Sequence, residues 1–328
     1  MSAARRRYST LFLALCAAAC VALLFAYSDS IDNSFHFDDN HVVEGNGYIR
    51  SLGNMGRFFT DGSTSSSYPP NAMYRPVMTA SLALDYAMGG GLLPRQFHLT
   101  QITLLLVLGV LLYFFYEAVA DRTERKPWNV WLALAAAAFF GLHTTNTETM
   151  NIIAVRAELL SAIGVVLAFL LYIGSPVARR TYLCILPMIF SAFAKSPAVI
   201  FAPMLMVYVM LYEQQFSASE LLSSTGWLKE WRAFLKVAPV FAVGVGLFVM
   251  MESMNGPQAT YAGGNRWLYA QTQAWIWLHY GKLFVLPIGL TADTDWGLID
   301  HWYDTRVLAG LAFVALLVTL LCKATERP

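Results

Sequence analysis

Nine apolar runs, separated by polar segments of very unequal length, organise this chain. They cover roughly 9–27, 98–119, 129–142, 153–173, 181–194, 197–212, 237–252 and 270–290, with a last run ending near Lys323. Several approach the ~20 residues that a helix needs to cross a ~30 Å hydrocarbon layer. The pattern predicts an all-α, polytopic transmembrane helix bundle, with 1–328 as a single membrane-embedded domain. Two polar segments interrupt it. The first, 28–97, carries Met55, Phe58 and Phe59 at helical spacing, which predicts short helices lying on the surface. Within it "DGSTSSSYPPN", Asp61 to Asn71, reads as a flexible loop. The second, 213–236, is amphipathic and is expected on the inner membrane surface.

Lysine and arginine set the sidedness. Arg5, Arg6 and Arg7 hold the N-terminus inside, so the run after them reads as a retained signal anchor; a cleaved leader is the alternative. Segment 28–97 then becomes a long first extracytoplasmic loop. "DRTERKPW" and "SPVARR" fall inside, and "HTTNTETMN" and "AKSP" fall outside. The run 270–290 contains Gln271, Gln273, His279, Lys282 and Pro287, which is polar for a lipid-facing span. It is read as interfacial or re-entrant, which leaves Asp293 and Asp295 outside and Lys323 inside.

Composition agrees with a membrane class. Of 328 residues 57% are hydrophobic and only 13% charged, about half the charge of a soluble domain. A net charge of +1 gives no reason to expect nucleic acid as a partner. Cys16, Cys20, Cys184 and Cys322 lie in or beside apolar runs without CxxC spacing, which argues against zinc and against a disulfide framework.

The ionisable residues collect on the predicted outer face. Asp38 and Asp39 open the first loop, and Tyr74 and Arg75 close it. His143 and Glu148 occupy the next outer loop, Arg156 and Glu158 enter the helix after it, and Lys195 sits at the third outer turn. Charges at membrane depth are costly and face a cavity or a partner. Each has a plainer explanation as well. Asp39 can cap a helix in its own loop, Arg75 and Lys195 can snorkel, and His143 can bond exposed helix carbonyls. Arg156 and Glu158, two apart, face different sides of a helix and do not pair with each other.

Taken in order, these motifs resemble the TMTC-type protein O-mannosyltransferases and their bacterial relatives, within the GT-C glycosyltransferase superfamily. "FHFDDNHVV" is similar to the family's FxFDDxxxV stretch, "YRPV" to YRPL, and "RQFHLTQITLL", with His98 and with Gln101 in place of Asn, to GFHLxNxLLH. "LHTTNTETMNIIAVRAELLSA" resembles FHPxxTEAVxxIxGRADLLxA, "FAKSPAVI" resembles SKExGxT, and "FVLPIGLTADTDWG" resembles FPxxLxxDWxxG. Thr144, Val155, Glu158 and Ser196 depart from the pattern, and Ser196 replaces an acid. The family's tetratricopeptide repeats do not follow the membrane part, which leaves a fragment, a short variant and a degenerate copy open.

The resemblance implies a GT-C bundle that transfers a sugar from a polyprenyl-phosphate carrier to an acceptor on the extracytoplasmic face. The acceptor is a protein hydroxyl, a lipid or a glycan, and the anomeric centre inverts. Asp38 or Asp39 serves as base. Arg75, Arg156 and Lys195 are the cations available to the leaving phosphate, with Tyr74, His98, His143, Glu148, Glu158, Asp293 and Asp295 completing the expected site. Membrane lipids are expected partners and no cofactor is expected, although an acid pair is chemically able to hold a divalent ion. A bacterial inner membrane fits the basic start and short inner loops. The alternatives are a catalytically degenerate scaffold subunit and a lipid-sugar transporter.

Overall fold

The computed structural model of the chain describes residues 9–221, 223–255, 265–291, 294 and 296–326. Among them there is helix and no strand. The helices are α1 (Thr10–Ala26), α2 (Met55–Phe58), α3 (Pro76–Gly89), α4 (Pro94–Thr123), α5 (Asn129–Leu142), α6 (Asn146–Asn151), α7 (Arg156–Gly174), α8 (Pro176–Arg180), α9 (Ile185–Ala194), α10 (Phe201–Tyr208), α11 (Ser224–Met254), α12 (Arg266–Val285) and α13 (Thr305–Thr325). Among the described residues five helical stretches are long and apolar enough to cross a membrane: Pro94–Thr123, Ile153–Gly174, Ser196–Glu213, Ser224–Met254 and Thr305–Thr325. Thr10–Ala26, Asn129–Leu142 and Ile185–Ala194 are shorter apolar helices.

Two elements are continuous helices. The polar stretch before the seventh run does not stand apart, because Ser224–Met254 is a single helix that continues through Pro239. The helix over the eighth run, α12, is continuous from Arg266 to Val285, which removes the re-entrant form of that reading and leaves the interfacial one.

The chain divides into two compact units, Met1–Phe201 with Val243–Gly256, and Ala202–Ala242 with Pro257–Pro328. In the first, α4 packs on α5 and α7, and α7 packs on α9. The α7–α9 contact is close: a Cβ on Gly164 would lie 2.6 Å from the Ser191 Cβ and 2.7 Å from the Pro187 carbonyl oxygen. Small residues at such crossings let backbones approach where no hydrophobic force drives helices together. In the second, α12 packs on α13, and Gln271 and Thr272 of α12 bond the Ile299 backbone.

The first loop is folded onto the bundle of its unit. As expected it contains short helical turns, at Ser28–Asp32, Asn40–Glu44, Gly47–Arg50, Leu52–Asn54, Gly62–Ser65 and Pro69–Asn71, besides α2. Val43, Ile49 and Phe58 from the loop pack with Met78 and Leu82 of α3, Phe97 of α4 and Ile153. Phe58 is buried and Met55 packs against that cluster, whereas Phe59 is exposed. Many leucines and phenylalanines on the long helices also face outward, as lipid-facing helices require.

Candidate active site

The two adjacent carboxylates of the first loop point in different directions. Phe37 adopts φ +49°, a left-handed conformation that costs an aromatic residue about 1 kcal/mol or more. The turn folds back so that Asp39 Oδ2 accepts from the His36 N–H at 3.1 Å. The same oxygen accepts from the Ile153 N–H at 3.1 Å, and Oδ1 accepts from the Ala154 N–H at 2.7 Å. Asp39 is fully buried. Burial pushes its carboxyl pKa up, against three backbone N–H bonds that favour the anion. The expected local cap is therefore corrected. Asp39 makes no cap to the turn it opens, and instead satisfies free N–H groups of the Ile153–Val155 turn that leads into α7.

Asp38 remains in solvent, with its side chain 72% exposed. Its charge reaches Arg75, whose guanidinium is held below its ordinary pKa by burial while the Asp38 charge opposes that shift. Arg75 stands immediately before α3, followed by Pro76 in the first turn. Proline there loses no helix bond, because that N–H has no partner within the helix. Lys195 closes α9 and pairs with Glu158 at the start of α7. Burial, and then Arg75, push the Lys195 pKa down, while Glu148 pulls it back. Asp38, Arg75, Lys195, Glu148 and Glu158 thus form one charged patch where the starts of α3 and α7 meet the end of α9.

Other predicted residues lie beneath or beside this patch. Arg156 is buried and paired with Asp85 of α3 at 2.5 Å. Its Nε donates to Gln101 Oε1 at 3.0 Å and its Nη2 to the Phe97 carbonyl at 2.8 Å. Thr100 donates to the other Asp85 oxygen at 2.6 Å, and Gln101 Nε2 donates to the Thr149 carbonyl at 2.6 Å. His98 is buried with Nδ1 3.1 Å from the Met150 carbonyl. Tyr74 is buried and donates to the Phe59 carbonyl at 2.9 Å. Arg156, His98, Tyr74 and Asp39 therefore brace the patch rather than line it. His143 bonds Thr145 at 2.8 Å and its ring meets Phe139 edge-on. Asp293 and Asp295 lie outside the described residues.

Two residues were missed by sequence reasoning. Asp85 had a signal, a lone acid in the apolar stretch "SLALDYAM". His41 had none beyond its place three residues after Asp38; it approaches both Asp38 and Ser66. Among the described residues no group of three or more His, Cys, Asp or Glu side chains is arranged to hold a metal. Both Asp39 oxygens are already occupied by backbone donors, so the acid pair does not converge on a common point.

Fold and patch define a multi-pass helical membrane protein with a charged site at one end of a helix cluster. Comparison with known proteins specifies the likeness further: the chain is similar to TMTC-type protein O-mannosyltransferases. It is 24% identical to the human protein O-mannosyl-transferase TMTC4 over 342 aligned positions, which cover 92% of this chain and 46% of that protein. It is 30% identical to the mouse TMTC4 over 45% of this chain and 21% of the relative. It is 28% identical to Drosophila melanogaster Tmtc2 over 47% of this chain and 16% of the relative. The chain thus spans less than half the length of these curated relatives. No protein-family model matches it, and no solved structure matches it.

Proposed function

We propose that this chain is a GT-C type glycosyltransferase that moves a sugar, by analogy mannose, from a polyprenyl-phosphate carrier to an acceptor hydroxyl on the extracytoplasmic face. A bacterial inner membrane is the proposed location. The observation that carries this reading is that the exposed Asp38 carboxylate acts electrostatically on Arg75, and Arg75 in turn on Lys195. A base and two cations on one surface match the two demands of the reaction. The acceptor oxygen must lose a proton as it attacks C1. The leaving phosphate gains negative charge that cations must meet. Attack opposite the phosphate inverts the anomeric centre, through a transition state of oxocarbenium character.

The bundle suits a substrate whose sugar is in water and whose tail is in lipid. Arg75 presents a planar fork suited to a phosphate, and Lys195 a point charge. Arg156 takes the supporting role: its guanidinium is committed to Asp85, Gln101 and Phe97. The test is thermal stabilisation of the detergent-purified chain by a panel of polyprenyl-phosphate sugars, followed by transfer to a Ser/Thr-rich peptide. One donor is expected to raise Tm in proportion to its occupancy. No stabilisation by any donor would favour the scaffold reading.

A further inference from the structure

His41 stands between Asp38 and a serine that also bonds both backbone groups of Tyr68. Its Nδ1 is 2.9 Å from Ser66 Oγ, and its Nε2 is 3.4 Å from Asp38 Oδ1. Ser66 Oγ donates to the Tyr68 carbonyl at 3.1 Å and accepts from the Tyr68 N–H at 2.9 Å. A hydroxyl has one proton. With that proton on the Tyr68 carbonyl, Ser66 can only accept from the imidazole. Nδ1 must then carry the ring's hydrogen, and in the neutral ring Nε2 is bare and directed at Asp38. Two acceptors facing each other make no bond, and 3.4 Å exceeds the usual 2.7–3.2 Å of a formed N–H···O bond. The gap lacks one proton.

We propose that His41 is the positioning partner of the base Asp38, poised to take from it the proton that Asp38 removes from the acceptor. This rests on the transferase reading above. In the step, the acceptor O–H proton passes to Asp38 as its oxygen bonds C1. The C1–O bond to phosphate breaks with its electron pair on the phosphate. The proton then moves from the Asp38 carboxyl to His41 Nε2, giving an imidazolium that donates at both ends, to Ser66 and to Asp38. Asp38 regains its charge and His41, partly open to solvent, releases the proton to water. The groups facing His41 are few. Asp38 lies on its own turn, and the Tyr68 ring lies 6.5 Å away across the loop. The Ile153–Val155 turn packed against it carries no titratable side chain. The charge of Arg75 also acts on Asp38.

The experiment uses the full chain in detergent, labelled with 15N-histidine, with the His41 resonances assigned by their loss in His41→Asn. The neutral ring is expected as the Nδ1–H tautomer with an unprotonated Nε2, the reverse of the usual preference in water. Finding Nε2–H as the neutral tautomer overturns the proposal. Transfer is then followed with mannosyl-phosphoryl-undecaprenol and a Ser/Thr-rich peptide. Asparagine at 41 keeps a donor toward Ser66 but has no Nε2. His41→Asn is expected to lower kcat by about tenfold, less than the 10²–10⁴ of losing a base. Its KM for the donor should stay the same, and the acid limb of its pH–kcat profile should flatten. A wild-type kcat and profile in His41→Asn overturns the role of His41 alone, provided Asp38→Asn is impaired. Full activity in Asp38→Asn, or no transfer by the unmodified chain, overturns the base reading and the relay together.

Discussion

The Arg156 guanidinium lies 2.5 Å from the Asp85 carboxylate, and both side chains are withdrawn from solvent, at 0% and 2% exposure. The pair joins the start of α7 to the middle of α3, and Gln101 and Thr100 tie it to α4. The three helices that carry or support the patch are thereby held in one arrangement. Removing one partner strands a buried charge, which typically costs about 3–5 kcal/mol. Asp85→Ala is therefore expected to lower Tm sharply, and it should do so equally with and without donor. A Tm within a degree or two of wild type would show that the pair does not hold the fold.

The adjacent acids should separate cleanly in function and stability. Asp38→Asn leaves the loop intact and is expected to cut transfer by about 10²–10⁴-fold, with donor stabilisation retained. Asp39→Asn should act on folding. Its amide would turn an N–H donor toward one of the backbone N–H groups that the carboxylate now accepts, at a cost of about 1–3 kcal/mol. Tm measurements and single-turnover transfer on both variants decide it. A stable, inactive Asp39→Asn would exchange the two roles.

Arg75→Lys preserves the charge and loses the planar fork. If Arg75 grips the lipid phosphate, the variant should bind donor about 10- to 100-fold more weakly, the scale of losing a charge-assisted hydrogen bond. Its Tm without donor should stay near wild type. Equal donor affinity in the two proteins would take Arg75 out of the site.

The alkaline behaviour of Lys195 supplies a pH test. Burial and Arg75 lower its pKa below the ordinary 10.5, so the fold prefers the neutral amine. A depressed folded pKa contributes stability that is fully present above the unfolded value and lost as pH falls through the folded one. Donor-free wild type should therefore gain stability relative to Lys195→Met as pH rises toward 10.5. Donor binding should weaken over the same interval, because the phosphate loses a cation. A Tm difference between the two proteins that does not change with pH would contradict this assignment.

The sequence by itself determined the bundle. A run of apolar side chains must be helical in lipid, because only a helix satisfies its own backbone there, so the nine runs could be read off in order. It also determined that acids and bases gather in the loops and turns between particular runs, since burying an unpaired charge is costly wherever the chain goes. The order of short motifs pointed to the right relatives. Tertiary structure alone decided which of these residues meet. Asp38 and Asp39 are indistinguishable as neighbours in sequence. Their separation depends on the left-handed Phe37 and on N–H groups at Ile153 and Ala154 that lie 114 and 115 residues away. Lys195 finds Glu158 across 37 residues because α7 and α9 pack closely at Gly164. Arg156, a phosphate ligand by its residue type, became a structural bolt because α3 places Asp85 against it. Periodicity carries which face of a helix is apolar. It carries nothing about which helix that face will meet, and the chemistry of the patch depends on those meetings.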